Sequence, residues 1–217
     1  LSKRRGTEVY NILKGVPTTS AYFTSPPVGK LELPSGLGPM TVAHTNYLKS
    51  RGFDPDVLES GWGLRGIDHR GGNLSWRIFI PIDHKGRTVS WTTRAIVDRD
   101  NVPRYKNSPP LGEETSPRDC LYGSDHVRHG VIVHEGPADV WRTGPGSVAL
   151  IRLNCSRRQL GLLAAKTVRV VCLDNTPDAQ RRAKRLCEDL ACLPGVTHRV
   201  QLDSKDAGEA TTKEINL

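Results

Sequence analysis

No apolar run in this chain approaches the about 18 residues that a membrane-spanning helix requires, so no transmembrane helix is expected. The opening stretch, LSKRRGTEVYNILKGV, starts basic but lacks the apolar segment and small-residue cleavage site of a secretory signal. Cysteine is sparse and unpatterned: Cys120, Cys155, Cys172, Cys187 and Cys192 form an odd set with no CxxC spacing. That leaves zinc and a disulfide framework unsupported and points to a reducing compartment. Cys155 and Cys172 lie in or beside apolar runs, where a cysteine serves as a small core residue. Methionine occurs once, as Met40, and the chain starts at Leu1, so a fragment or a processed chain is expected. There is no internal repeat of fixed period.

What is present is a globular composition: 217 residues, 36% of them apolar and 25% charged, enough for one large domain or two small ones with a real core. The net charge of +8 is unevenly placed. Residues 1–110 hold 16 Lys and Arg against 9 Asp and Glu, whereas residues 111–217 hold 15 against 14. A basic half joined to a balanced half suggests an anionic partner on the first, although solvated surface charge explains the same numbers.

Residues 1–40 are dense in Pro, Gly, Ser and Thr and read as a lead-in segment, ordered by docking on the body. From Thr41 to Arg51 the spacing of Val42, Ala43, Tyr47 and Leu48 suits a short amphipathic helix, with Gly52 as its stop signal. Asp54 and Pro55 then supply an N-cap and a first helical position. In SWRIFIPIDHKGRTVSWTTRAI two β-rich runs flank Asp83-His84-Lys85-Gly86, the composition of a hairpin turn. Residues 98–130 read as loop. Beyond them, apolar runs at 131–134, 147–152, 168–173 and about 197–202 alternate with helical segments at 156–165 and 178–193. The first helix opens with a capping box, Ser156 to Gln159; the second puts Ala179, Ala183, Leu186, Leu190 and Leu193 on one face. Such alternation indicates an α/β fold with a parallel sheet, whose sites lie beyond the carboxyl ends of the strands.

The run VIVHEGPADVWR places an acid there. Glu135 closes the first of these strands, Gly136 permits a tight turn, and Pro137 suits the start of a helix. Asp174 closes the third strand and Asp206 follows the fourth. If the strands are neighbours, the carboxylates converge, and an oxygen-only acidic cluster favours Mg²⁺ completed by water and phosphate. The competing interpretation is that Asp174 or Asp178 merely caps a helix.

From Tyr47 to Glu209 the chain resembles the Toprim-containing catalytic core of DnaG-like replicative primases of bacterial and phage type. YLKSRGFDPDVLESGWGLR, RIFIPIDHKGRTVSWTTRAI, RYKNSPP, CLYG, VIVHEGPADV, VVCLDNTPDAQRRAKRL and SKDAGE are similar to that family's segments and occur in the same order. The resemblance implies an α+β organisation overall: a lead-in at 1–40, a basic template- and nucleotide-binding subdomain at 41–130, and at 131–217 a Toprim nucleotidyl-transfer domain with a roughly four-stranded parallel sheet flanked by helices. It implies catalytic Glu135, Asp139 and Asp174, and Mg²⁺ (or Mn²⁺) held by Glu135, Asp139, Asp174 and Asp206. Arg77, Arg94, Arg104, Lys106 and Asn107 would face the template and incoming nucleotides. Trp62, Trp76, Trp91 and Tyr105 interleave with them and either stack on bases or fill the core. The implied activity is synthesis of short RNA primers on single-stranded DNA from ribonucleoside triphosphates, beside a replicative helicase, in the cytoplasm of a bacterial or phage-infected cell.

Two departures accompany the resemblance. The family's paired aspartates become Asp174-Asn175-Thr176, so the second acid is a threonine; Asp178, four residues on, either compensates as a metal ligand or caps the helix. The family's zinc module has no counterpart, so zinc is not expected in this segment. The alternatives are a non-catalytic module that binds single-stranded DNA or docks in the replisome, and a Toprim nuclease.

Overall fold

A computed structural model describes residues 29–97 and 102–215. The lead-in read at residues 1–28 and the loop read at 98–101 lie outside the described residues. From residue 29 the lead-in does dock on the body: Gly29 and Glu32 donate backbone bonds to the carbonyls of Glu113 and Gly112, and the Trp91 indole donates to the Glu32 carbonyl at 2.8 Å.

The polypeptide builds two sheets. The first is antiparallel, in the order β1 (Leu37–Gly38), β2 (Arg65–Ile67), β3 (Arg77–His84), β4 (Arg87–Ala95) and β5 (Tyr105–Asn107). The β3–β4 hairpin turns through Lys85 and Gly86, with φ of 56° and 74°. Two positive φ values give a turn whose twist matches that of the strands it joins. The strict alternation of β3 splits its side chains between two cores. Ile78, Ile80 and Ile82 pack under helices α1 (Val42–Ser50) and α2 (Pro55–Trp62), against Leu48, Leu58 and Trp62. Phe79 faces the other way, with Ile67 and Trp91. Asp54 caps α2 by accepting from the Asp56 amide at 2.9 Å, and Gly63 ends it in the left-handed region.

The second sheet is parallel, in the order β7 (Ser147–Ala149), β6 (Gly130–His134), β8 (Val168–Val171), β9 (Val196–Arg199). It is flanked by α3 (Pro137–Thr143), α4 (Arg157–Ala164) and α5 (Pro177–Ala191), with a last turn, α6 (Thr212–Ile215). The apolar stripe of α5, formed by Ala179, Ala183, Leu186 and Leu190, seals Val131, Val133 and Val171. The capping box of α4 is closed in both directions, Gln159 N to Ser156 Oγ at 3.1 Å and Ser156 N to Gln159 Oε1 at 3.0 Å. Arg169, fully buried, donates to the carbonyls of Pro194, Leu190 and Leu193 and so closes the C-terminal end of α5.

Two elements differ from the sequence expectation. The buried face of α1 is His44 and Leu48, while Val42 is 74% exposed. The ring of His44 locks onto Thr41, whose hydroxyl lies 2.8 Å from Nδ1, and this rotates Val42 outward. Residues 105–107, read as loop, form β5, because their amides and carbonyls meet the free edge of β4. Three residues are too few to show a period. The two sheets share a core: Val140 and Trp141 of α3 and Ala149 of β7 pack with Leu48, Phe53 and Trp62. Arg142 adds a polar tie, donating to the carbonyls of Arg51, Gly52 and Gly208 and lying 4.4 Å above the Phe53 ring.

Candidate functional site

Strands β6 and β8 are parallel neighbours, so their carboxyl ends share one edge of the sheet, and Glu135 and Asp174 follow almost directly from them. This is why an apolar strand ends in a carboxylate, a glycine and a proline. Glu135 is delivered to the edge, Gly136 serves as N-cap of α3, and Pro137 occupies a first-turn position where no amide is needed. Asp139, one turn on and only 6% exposed, uses both oxygens on backbone: Oδ2 accepts from Gly136 N at 3.0 Å, Oδ1 from Gly208 N at 2.8 Å. It thus joins the loop that carries Glu135 to the loop that carries Asp206. A Cβ at position 208 would lie 3.3 Å from carboxylate oxygens of both Asp139 and Asp206, so the closeness of this approach explains the glycine. The Asp206 loop is further fixed by Asn175 N donating to the Lys205 carbonyl at 2.7 Å and by Ser204 donating twice to the Glu214 carboxylate.

These acids crowd one another. Burial, with the charges of Glu135, Asp139 and Asp206, pushes the Asp174 carboxyl up to about 7, against a smaller opposing pull from Lys205. Burial likewise raises Asp139 to about 6, aided by the Asp206 and Glu135 charges and opposed by its two backbone amides. Glu135 has a cationic neighbour: Arg182 of α5 donates to both its oxygens, at 2.8 and 2.9 Å.

Glu135, Asp139, Asp174, Asp206 and Glu209 line a cleft of about 320 Å³ together with Arg51, Arg94, Arg104, Arg152 and Lys205. Arg94 is held between two phenols, donating to Tyr47 at 2.5 Å and Tyr105 at 2.6 Å. Arg51 pairs with Glu209 at 3.6 Å. Ile151 bends the chain after β7 with φ of 60°, a conformation β-branched residues rarely adopt, and Arg152 and Leu153 follow it into the lining.

Of the residues singled out from sequence, Glu135, Asp139, Asp174, Asp206, Arg94, Arg104 and Tyr105 meet at this cleft. Four do not. Asp178 stands in the first turn of α5 with its side chain 73% exposed and paired with Arg181, where its charge suits the helix N-terminus. Arg77, 2% exposed, is a staple inside the first sheet, donating to the carbonyls of Pro103, Arg104 and Thr93. Lys106 and Asn107 belong to β5 outside the lining, with the Lys106 carbonyl accepting from Thr92 and Thr93. Trp62, Trp91 and Trp141 are core residues; Trp76 is 40% exposed, at a φ of 59°. Sequence reasoning missed Arg51, Arg152, Arg182 and Tyr47. Lys205, adjacent to Asp206 in SKDAGE, carried a visible signal.

Among the described residues no three His, Cys, Asp or Glu side chains form a ready-made metal cage. The donor chemistry nonetheless fits an oxygen-preferring divalent ion. The carboxylates at the strand ends carry like charge, and such an ion keeps most of its coordination from water and substrate phosphate. All five cysteines are unpaired thiols, and no described helix is long and apolar enough to cross a membrane.

No protein-family description and no curated protein sequence matches this chain. Solved structures do. The Aquifex aeolicus primase, comprising zinc-binding and RNA polymerase domains, superposes with a TM-score of 0.67 at 20% identity over 78% of this chain and 52% of its own. The DnaG primase catalytic domain bound to single-stranded DNA gives 0.65 at 18% identity, covering 82% and 71%. The primase fragment of the bacteriophage T7 primase-helicase protein gives 0.53 at 16% identity, covering 83% and 76%. The chain therefore has the mixed α/β architecture of a DnaG-like primase catalytic core.

Proposed function

We propose that this chain is the polymerising core of a primase, joining ribonucleotides on a single-stranded DNA template with Mg²⁺ or Mn²⁺. The observation that carries this reading is the mixed lining of one cleft, with carboxylates at the ends of two parallel strands and arginines and a lysine around the same space. A nucleoside triphosphate demands both: cations for its phosphates, and carboxylates for the metal that travels with it.

In this scheme residues 131–217 form the Toprim-type transfer unit and residues 41–130 present the template. Glu135, Asp174 and Asp206 would hold the divalent ion, whose contribution is to neutralise charge building on the phosphate oxygens. Asp139, with both oxygens committed to amides, positions the loops of Glu135 and Asp206. Arg94 and Arg104 grip the triphosphate, and Arg94 needs no reorganisation because two phenols already orient it. The primer 3′-hydroxyl gives up its proton to water, its oxygen forms the new bond to the α-phosphorus, the α–β anhydride bond breaks, and pyrophosphate leaves. The fold likeness to the T7 primase-helicase fragment supports a replicative helicase as partner.

The test is incorporation of a labelled ribonucleotide on a mixed single-stranded template, with Mg²⁺ and with Mn²⁺. Template-dependent product from the native chain, reduced by about 10²-fold or more in Glu135→Ala, is expected. Absence of product in either metal, even from a preformed primer, overturns the reading.

A second reading, a module that binds single-stranded DNA without chemistry, is favoured by one observation. Thr176, at the place of the second acid, is the N-cap of α5, its hydroxyl accepting from Ala179 N at 3.2 Å. That module would hold DNA equally well with and without Mg²⁺.

A further inference from the structure

Glu135 does not wait as a free carboxylate. Arg182 reaches it from the second turn of α5, and a single guanidinium nitrogen spans both oxygens. The pair is well shielded, with side chains 22% and 16% exposed, and the Arg182 Nε is buried without a hydrogen-bond partner. This geometry serves Glu135 and leaves the arginine itself incompletely satisfied. The arginine stands where a cation is wanted, since Asp139, Asp174 and Asp206 line the same cleft as Glu135. On its other side Arg182 lines a second groove of about 140 Å³ with Leu153, Cys155, Arg185 and Asp189. That groove is open space into which the side chain can swing, with Asp189 as an alternative anion on its wall.

We propose that Arg182 is a latch on the cation site: it neutralises Glu135 in the metal-free protein and must release that carboxylate before a divalent ion is ligated through it. Arg182 is thus a positioning residue, acting through Glu135. The inference rests on the reading of the carboxylates as a divalent-cation site. Its physical content is competition. A charge-assisted pair shielded from water strengthens the resting state, so part of the ion's affinity goes into breaking it. Without Arg182 the Glu135 carboxylate loses its bonded cation beside Asp139, Asp174 and Asp206, which destabilises the metal-free chain and sharpens its demand for a cation.

The test is Mn²⁺ binding by the full chain, read from the loss of the free-ion paramagnetic resonance signal, for the native protein, Arg182→Met, Arg182→Lys and Asp174→Asn. Arg182→Met is expected to bind Mn²⁺ at least about tenfold more tightly than the native chain. It should melt at a lower temperature without metal and recover most of the difference at saturating Mn²⁺. Arg182→Lys, which keeps the charge and loses the planar fork, should fall between the two and decides the matter if the methionine variant does not fold. Native-like or weaker binding by the substituted chains, with Asp174→Asn still abolishing it, overturns the latch and leaves the cation site standing. Absence of Mn²⁺ binding in every chain overturns both.

Discussion

The two halves of this molecule treat buried polar groups in opposite ways. In the antiparallel half most are matched, His44 Nε2 being an exception. The Glu113 carboxylate accepts from Ser90 and Ser108 at 2.9 and 2.7 Å, Arg77 spends its donors on carbonyls, and Arg94 sits between two phenols. In the parallel half, at the carboxyl edge of the sheet, burial first and then the neighbouring like charges push the Asp174 carboxyl up to about 7 and that of Asp139 to about 6. A satisfied network rigidifies a fold, whereas an unsatisfied one destabilises it unless something else binds there. Under the proposed function, this contrast separates a half that holds from a half that does the chemistry.

The most forceful way to break that comparison is Asp174→Asn. If the crowding is functional, this substitution should abolish ribonucleotide incorporation, by about 10²-fold or more, while raising the melting temperature of the metal-free chain. The pH dependence follows from the direction of the shift. A carboxyl raised in the folded state leaves that state binding more protons than the unfolded chain between the ordinary aspartate range and about 7. Its stabilising contribution is complete at low pH and is lost as pH rises through about 6 for Asp139 and about 7 for Asp174. The groups facing Asp174 are Glu135, Asp139, Asp206 and Lys205. Metal-free melts between pH 4 and pH 8 should therefore fall in stability with rising pH in the native protein and flatten in Asp174→Asn. A native chain most stable at pH 8 without metal would remove the basis for calling this half unsatisfied.

A smaller effect is expected on the matched side. Arg94→Met leaves the hydroxyls of Tyr47 and Tyr105 without the guanidinium that joins them, at a cost of about 2 kcal/mol in denaturant melts. The same substitution should raise the KM for ribonucleoside triphosphates with little change in the midpoint of the metal requirement, because Arg94 touches no carboxylate of the cluster. A change confined to metal dependence would mean that the two walls are not separable.

Much of the scaffold was legible because its signals are local. Asp54 before Pro55 and Ser156 three residues before Gln159 each act within one turn of chain and formed as read, while the turn read over Asp83-His84-Lys85-Gly86 tightens to Lys85-Gly86, with Asp83 and His84 paired in β3. The convergence of Glu135 and Asp174 was legible as well, since strand ends before helices in an α/β alternation share an edge. What could not be read is decided between distant segments. Arg77 and Arg94 are alike in sequence, both basic residues in β-rich runs, yet one turns to carbonyls of the 103–104 segment and the other to the cleft. Arg182 gave no sign of its attachment to Glu135, 47 positions away, because the helix pattern marks it only as polar. Asp178 has the i, i+4 spacing from Asp174, but α5 begins at Pro177, so Asp174 is not on that helix and the spacing carries no shared face.

That last point yields the smallest and most discriminating expectation. Asp178→Ala should leave incorporation within about twofold of native and lower stability by no more than about 0.5–1 kcal/mol, the worth of an exposed pair at a helix N-terminus. Thr176→Asp is its counterpart. Aspartate caps a helix as well as threonine does, so α5 should form unchanged and a melt should shift little. The new carboxylate would stand two residues from Asp174, at the edge where the acids already crowd. Assayed together by Mn²⁺ binding, Thr176→Asp should tighten the ion and Asp178→Ala should leave it alone. If instead Asp178→Ala loosens Mn²⁺ tenfold, the exposed carboxylate reaches the cluster in solution, and the sharp line between the matched and the crowded halves has to be redrawn through α5.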